Sequence, residues 1–282
     1  MRTLKSFGKN LCLGIAVAAL SAGSASLYAQ NESASVPAGF TGLLAGYLGP
    51  QALPNSLALV PPAPAADSSA LMLDQEISRR SFLLRDTARW ALANSDADLR
   101  FPHAAGTFSC ALNAPISETV TPRLYTLLRR TLTDLGVSTY AAKIRYNRTR
   151  PFVWNNEPIC TPEDREGLEK DGSYPSGHTA AGWGWALILT EVSPAQSDAI
   201  MMRGRSFGES RNVCNVHWYS DVVQARHVAA VTVARLHAER EFRADLDAAG
   251  AELAAVRSKG LKPDRDCAAE AAALAMQPSL AQ

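Results

Sequence analysis

The sequence has almost no net charge to offer. Its 28 Lys and Arg residues against 27 Asp and Glu leave a formal charge of +1. Proteins that track the nucleic-acid backbone carry a strongly basic surface, so broad nucleic-acid binding is excluded, although a local basic pocket is not. Long apolar runs are missing too. Leu11 to Leu20 is too short to cross a bilayer comfortably, and no later segment is apolar for long enough. Cysteines paired at close spacing are absent, which removes the usual structural zinc sites. His227 and His237 lie ten and twenty residues beyond His217. At ~100° per helical residue they are poorly phased to join it as ligands, so no metal site is expected. Strict period-two alternation is scarce, and no repeat or interior linker divides the chain. These absences point to a single all-α domain.

What is present begins with a leader. Arg2, Lys5 and Lys9 precede the short apolar run, small residues follow, and Ala29 is a reasonable last residue before cleavage. Residues 1–29 are therefore read as a signal peptide, the alternative being an uncleaved membrane anchor, and the mature protein as periplasmic or secreted. Cleavage would take the formal charge to −2, since the leader holds three basic residues and no acidic ones. Cys110, Cys160, Cys214 and Cys267 remain. An even count in an exported chain suggests two disulfides with three open pairings, the alternative being buried free thiols.

Residues 30–69 are rich in Pro, Ala, Gly and Ser and read as an extended arm over the surface, with Pro61-Pro62-Ala63-Pro64 at its stiffest point. Residues 70–257 carry the helical pattern. An apolar period runs from Leu71 through Trp90 and Leu92. Thr121-Pro122 opens a helix with a Leu124, Leu127, Leu128, Leu132, Leu135 stripe, and Gly136 is a plausible stop. A short helix is expected over Thr139 to about Tyr146, and 149–175 is expected to be irregular. Further helices are expected from Ser176 to Leu189, from Ser193-Pro194 to about Phe207, from His217 past Leu236, and over 239–257. The tail, 258–282, is expected to fray.

Three clusters carry chemistry. The string KIRYNRTRP holds Lys143, Arg145, Arg148 and Arg150. Lysine offers a point charge and arginine a planar fork for phosphate oxygens, although a basic turn alone is more often a solvated surface. In Tyr174-Pro175-Ser176-Gly177-His178-Thr179 an irregular stretch meets an apolar helix. Its first amides and dipole make an anion site; Gly177 admits close approach, and Ser176 adds a hydroxyl. The bland alternative is an ordinary N-cap beside a helix-end histidine. In the third cluster, Ser210-Arg211 precede His217 and Asp221. Placed four apart on a helix, those two share a face, and a carboxylate on one ring nitrogen leaves the other free to attack or exchange protons. The alternatives are a surface ion pair or two metal ligands.

Together the clusters match, position for position, the three-part signature of the phosphatidic acid phosphatase type 2 superfamily. It runs as Lys six residues before Arg-Pro, then Pro-Ser-Gly-His, then Ser-Arg, five residues, His, three residues and Asp. GSYPSGHT, and the Leu57–Asp86 region with its proline run, Leu73-Asp74-Gln75 and Arg85, resemble the bacterial class A non-specific acid phosphatases. The resemblance covers most of 55–240. It implies a helical bundle of the type shared with the vanadium haloperoxidases. It also implies His217 as the phosphorus nucleophile, Asp221 as its orienting partner, and His178 as general acid and base. Lys143, Arg150, Ser176, Gly177 and Arg211 would bind phosphate. No cofactor is implied. Relatives often carry cysteine near Cys160 and Cys214, which implies pairing Cys160 with Cys214 and Cys110 with Cys267.

The expected function is hydrolysis of small phosphomonoesters with broad specificity, with transfer to other alcohols open through the same intermediate. Because His178 must begin protonated, an acidic optimum is expected. Three other readings share the motifs. A vanadium-dependent haloperoxidase suits the same pocket but usually has a longer chain. A lipid phosphate phosphatase usually has membrane helices. A non-catalytic phosphate-binding protein would not need both histidines with Asp221. The preferred ester is not legible, and a homo-oligomer is left open.

Overall fold

The computed structural model of the chain describes residues 43–276, so the leader and the start of the arm lie outside the described residues. Every regular element among them is helical. The α-helices are α1 (Ser56–Leu59), α2 (Ser69–Phe82), α3 (Ala88–Ala97), α4 (Ser109–Leu112), α5 (Pro122–Val137), α6 (Tyr140–Tyr146) and α7 (Pro151–Asn155). There follow α8 (Arg165–Glu169), α9 (Gly177–Val192), α10 (Ser197–Val213), α11 (Tyr219–Leu236), α12 (Arg240–Ser258) and α13 (Cys267–Ala275).

The most apolar helix, α9, sits in the middle, packed against α10, α11 and α5. Two glycines let it approach them. A Cβ on Gly182 would lie 2.1 Å from the Phe207 ring, and one on Gly184 would lie 2.2 Å from Leu135. Alanine at either position would force the helices apart, at about 1–3 kcal/mol for overpacking. Between them Trp185 is fully buried, donates its indole N–H to Leu128 O at 3.1 Å, and meets Phe101 and Phe108 edge-on. The Leu124, Leu127, Leu128, Leu132 and Leu135 stripe of α5 faces this core, as its periodicity predicts. α5 runs one residue past Gly136. It stops where the Ser138 and Thr139 hydroxyls bond back to the Leu135 and Gly136 carbonyls and compete with the helical ladder.

Four expectations need correction. The Leu71–Leu92 period is two helices, because Asp86 adopts a left-handed φ of 61° between α2 and α3. The 149–175 stretch is not irregular throughout: Pro151 and Pro162 each open a helical turn as their first residue, and α8 follows. α10 runs to Val213, well past Phe207, and so delivers Ser210 and Arg211 from a rigid element. The tail contains α13, capped by Asp266 and tied to α4 by a Cys110–Cys267 disulfide. The second disulfide joins Cys160 to Cys214. Both pairings are those the resemblance implies.

The described part of the arm is fixed at defined points. Asp134, buried in α5, accepts the Tyr47 and Leu48 amides at 2.9 and 3.0 Å. Burial pushes its pKa up to about 6. Ser56 caps the arm's contact with α6 by accepting the Ala142 amide, and Tyr174 donates to Pro61 O at 2.8 Å.

Candidate active site

Three chain segments converge on His217. It does not lie on α11, as its spacing from Asp221 suggested. It precedes the Trp218 N-cap, in a turn that leaves α10 through Cys214 and a left-handed Asn215. The pairing survives because Asp221 is the third residue of α11. Its Oδ2 accepts the Trp218 amide at 2.8 Å and faces His217 Nδ1 at 3.2 Å. The other ring nitrogen, Nε2, lies 3.1 Å from Arg150 Nη1. A carboxylate only accepts and a guanidinium only donates. These contacts therefore fix the tautomer, with the proton on Nδ1 and a lone pair on Nε2.

The segment before α7 supplies the first cations. Arg150 is buried and donates to the carbonyls of Leu168, Asp171 and Val216 at 2.8, 2.9 and 2.9 Å. Lys143, in the last turn of α6, is buried and donates to Gly172 O at 2.6 Å. Gly172 has to be glycine, because a Cβ there would sit 2.8 Å from Asn147 Cα. Asp171 reaches Arg150 at 3.2 Å and Lys143 at 3.5 Å. Arg211 enters from α10, fully buried, and its Nε and Nη1 have no hydrogen-bond partner among the described residues. Burial, with Arg150 adding to it, pushes Arg211 down to about 10 and Lys143 down to about 8. Burial also drives His217 well below its ordinary value, reinforced by Arg150, Lys143 and Arg211. Three buried cations around one imidazole, with Arg150 depressing the other two, make a cradle for an anion.

The start of α9 closes the cradle. Ser176 is its N-cap: its Oγ accepts the Thr179 amide at 3.2 Å and the Thr179 hydroxyl at 3.0 Å, leaving its own proton to donate elsewhere. Both earlier readings of Ser176 are thus compatible. The amides of Gly177 and His178 have no helical partner by position. A Cβ on Gly177 would meet only Thr139 Oγ1, at 3.7 Å. His178 sets Nε2 2.9 Å from Ala97 O, so this nitrogen holds a proton and Nδ1 is the one left to exchange. Burial lowers its pKa well below the ordinary value, with Arg211 and His217 adding to it.

The geometry therefore brings together all eight residues singled out from the sequence: His217, His178, Asp221, Lys143, Arg150, Ser176, Gly177 and Arg211. Sequence reasoning missed their buried partners. Arg148, visible in the basic string but given no role, pairs with Asp221 at 2.7 Å. Asp74 pairs with Arg148 at 2.7 Å across 74 residues. Asp96, buried on α3, accepts Ser210 Oγ and pairs with Arg203 at 2.6 and 2.5 Å, bracing the turn of α10 that carries Arg211. A buried Asp221 needs a counter-charge, which was one available signal for Arg148. Asp74 stood in the Leu73-Asp74-Gln75 string of the resemblance but had no role assigned, and nothing local marked Asp96. No group of three or more His, Cys, Asp or Glu side chains is disposed to hold a metal among the described residues, and none of their helices is long and apolar enough to cross a membrane.

The model of the PAP2 superfamily matches residues 124–243. The chain is 43% identical over 204 residues to a non-specific acid phosphatase of Providencia stuartii, covering 72% of this chain and 82% of the relative. It is 41% identical over 210 residues to an acid phosphatase of Zymomonas mobilis, covering 74% and 80%. A non-specific acid phosphatase of Salmonella typhimurium is 40% identical over 198 residues, covering 70% and 79%.

Proposed function

The chain belongs to the PAP2 superfamily, and from there we propose that it is an exported acid phosphatase that hydrolyses a broad range of small phosphomonoesters through a phosphohistidine on His217. The observation that carries this reading is the position of His217 Nε2, 3.1 Å from Arg150 Nη1 within a cluster of buried cations.

In the first half-reaction the Nε2 lone pair forms a bond to phosphorus while the P–O bond to the ester oxygen breaks. The imidazole becomes cationic as it is phosphorylated, and Asp221 at Nδ1 stabilises that charge. The departing alkoxide takes a proton from His178 Nδ1. In the second, His178 removes a proton from water, whose oxygen attacks phosphorus; the P–N bond breaks and inorganic phosphate leaves. Lys143, Arg150 and Arg211 with the Ser176 hydroxyl and the Gly177 amide neutralise the equatorial oxygens, which is most of what phosphoryl transfer asks of a protein. This assignment gives no step to a metal ion.

His178 must be protonated for the first half-reaction, yet burial and neighbouring cations hold it neutral in the free protein. A phosphate dianion offsets those cations and raises its affinity for a proton. Substrate and proton therefore bind together, and the rate falls on the alkaline side.

The test is hydrolysis of p-nitrophenyl phosphate by the purified chain from pH 4 to 9 with EDTA present. Turnover at acidic pH that vanishes in His217→Ala is the expected result. No turnover from folded protein, restoration of an EDTA-killed enzyme by Mg²⁺ or Zn²⁺, or a rate still rising above pH 8 would contradict the assignment. In the first case a bromide and peroxide assay with vanadate follows.

A further inference from the structure

Asp221 is 0% exposed, and its second oxygen is as firmly held as the one facing His217. Oδ1 accepts Arg148 Nη1 at 2.7 Å. The same Nη1 lies 2.8 Å from the Ser220 hydroxyl, and the guanidinium stands over the Trp218 ring at 5.3 Å. The other prong of the fork, Nη2, donates to Asp74 Oδ2 at 2.7 Å. Asp74 is itself 1% exposed and lies on α2, outside the residues that match the superfamily model. It also accepts the Ser220 amide at 2.7 Å and the Ser220 hydroxyl at 2.6 Å. Those contacts cap the start of α11 from a different helix, a role that the first amides of any helix leave open.

We infer that Asp74 and Arg148 are a positioning pair that sets the orientation and charge of Asp221, and through it the attacking nitrogen of His217. The inference rests on the assignment of His217 as nucleophile. One planar guanidinium bridges two buried carboxylates, so neither can turn without breaking a charge-assisted bond at the other. A buried carboxylate without a cation would take up a proton. Asp221 without its bond to Arg148 could turn from Nδ1 and would stabilise the imidazolium less. Neither Asp74 nor Arg148 is placed to touch phosphate, because Asp221 stands between Arg148 and the ring. The segment N-terminal to the superfamily match thus completes the support of the catalytic histidine.

The pair predicts a split between turnover and binding. In the full chain, Asp74→Asn keeps the side-chain shape and Arg148→Lys keeps a charge but cannot bridge both carboxylates. Each is expected to lower kcat for p-nitrophenyl phosphate roughly 10–100-fold, the scale of a small misplacement at a reacting centre. Inhibition by inorganic phosphate, which reports the cradle, is expected to stay within about threefold. The loss is expected in phosphoenzyme formation, measured by rapid quench and alkaline trapping of phosphohistidine. The double variant is expected to cost little more than either single one, as for residues acting as one unit. Folded variants with kcat within about twofold of the parent would overturn the inference. So would a phosphate constant that weakens in step with kcat, or failure of both variants to fold, since either outcome marks a purely structural role. His217→Ala run alongside separates the layers. If it is dead while Asp74→Asn is unimpaired, only the positioning pair falls; if it is active, the nucleophile assignment beneath it falls.

Discussion

Replacing Arg211 by methionine should make the free protein more stable and worse at binding phosphate. The guanidinium is 1% exposed, with Nε and Nη1 unpaired and no ion pair among the described residues. Burial pushes it from 12.5 to about 10. Each pKa unit corresponds to about 1.4 kcal/mol, so holding this charge in the empty site costs about 3 kcal/mol. Both folded and unfolded states keep the proton at pH 7, so the cost is present there in full. Methionine fills much of the aliphatic path without the charge, and replacing uncompensated buried charge by apolar groups is commonly stabilising. Allowing for imperfect packing, the expected gain is about 1–3 kcal/mol, or a rise in Tm of roughly 2–12 °C for a chain of this size. Phosphate at a hundred times its Kd should stabilise the parent by about 2.7 kcal/mol. Losing one charge-assisted contact, worth about 1.5–3 kcal/mol, should leave the variant roughly half of that gain or less at the same concentration. Differential scanning calorimetry at pH 7, with and without inorganic phosphate, measures both. A variant that melts below the parent without phosphate, or that gains as much from phosphate as the parent does, would refute the reasoning.

Two further outcomes follow from the same contacts. The Cys160–Cys214 disulfide closes a loop of 54 residues and the Cys110–Cys267 disulfide one of 157; chain entropy alone puts their contributions at about 4 and about 5 kcal/mol. Cys214→Ser should also lower kcat, because Cys214 anchors the turn that carries His217, whereas Cys110→Ser should lower Tm with kcat preserved; equal effects on kcat would contradict this. The two histidines, His217 buried and His178 half-buried, set a pH dependence of stability. Their folded pKa values lie well below 6.5, so the unfolded chain binds their protons first, and stability should fall as pH drops through about 6.5. Asp134, pushed up to about 6, and Glu270, raised by burial, oppose this and shallow the decline. Tm of the phosphate-free protein should decline from pH 6.5 to 5, and His178→Gln should flatten the slope; a flat or rising parent curve would show the histidines are not held neutral.

The sequence exposed whatever its local chemistry compelled. The α5 stripe, the Thr121-Pro122 start and the Ser176 cap each follow from a few adjacent side chains, and each appears in the fold close to where periodicity and capping put it. The candidate site residues were legible through the resemblance, since each cluster alone had a bland alternative and only the three in order match the superfamily signature. Errors fell where one residue's backbone decides against the pattern, as at Asp86, or where a turn precedes a helix, as at His217. There the apolar period is continuous and no local signal marks the break. The buried carboxylates that brace the site were illegible for a different reason. Asp74 and Asp96 act across 74 and 107 residues, on Arg148 and Arg203. Each lies on a helix whose own pattern is satisfied without it. What does predict them is a charge balance over the buried site. Asp221, Lys143, Arg150, Arg211 and His217 are all buried, and the fold can afford such a cluster only by surrounding it with further ionised partners. Among the described residues of the cradle, Arg211 alone is left over once Asp171 is set against Arg150 and Lys143, and an unpaired buried positive charge at the end of such a balance is what identifies an anion site.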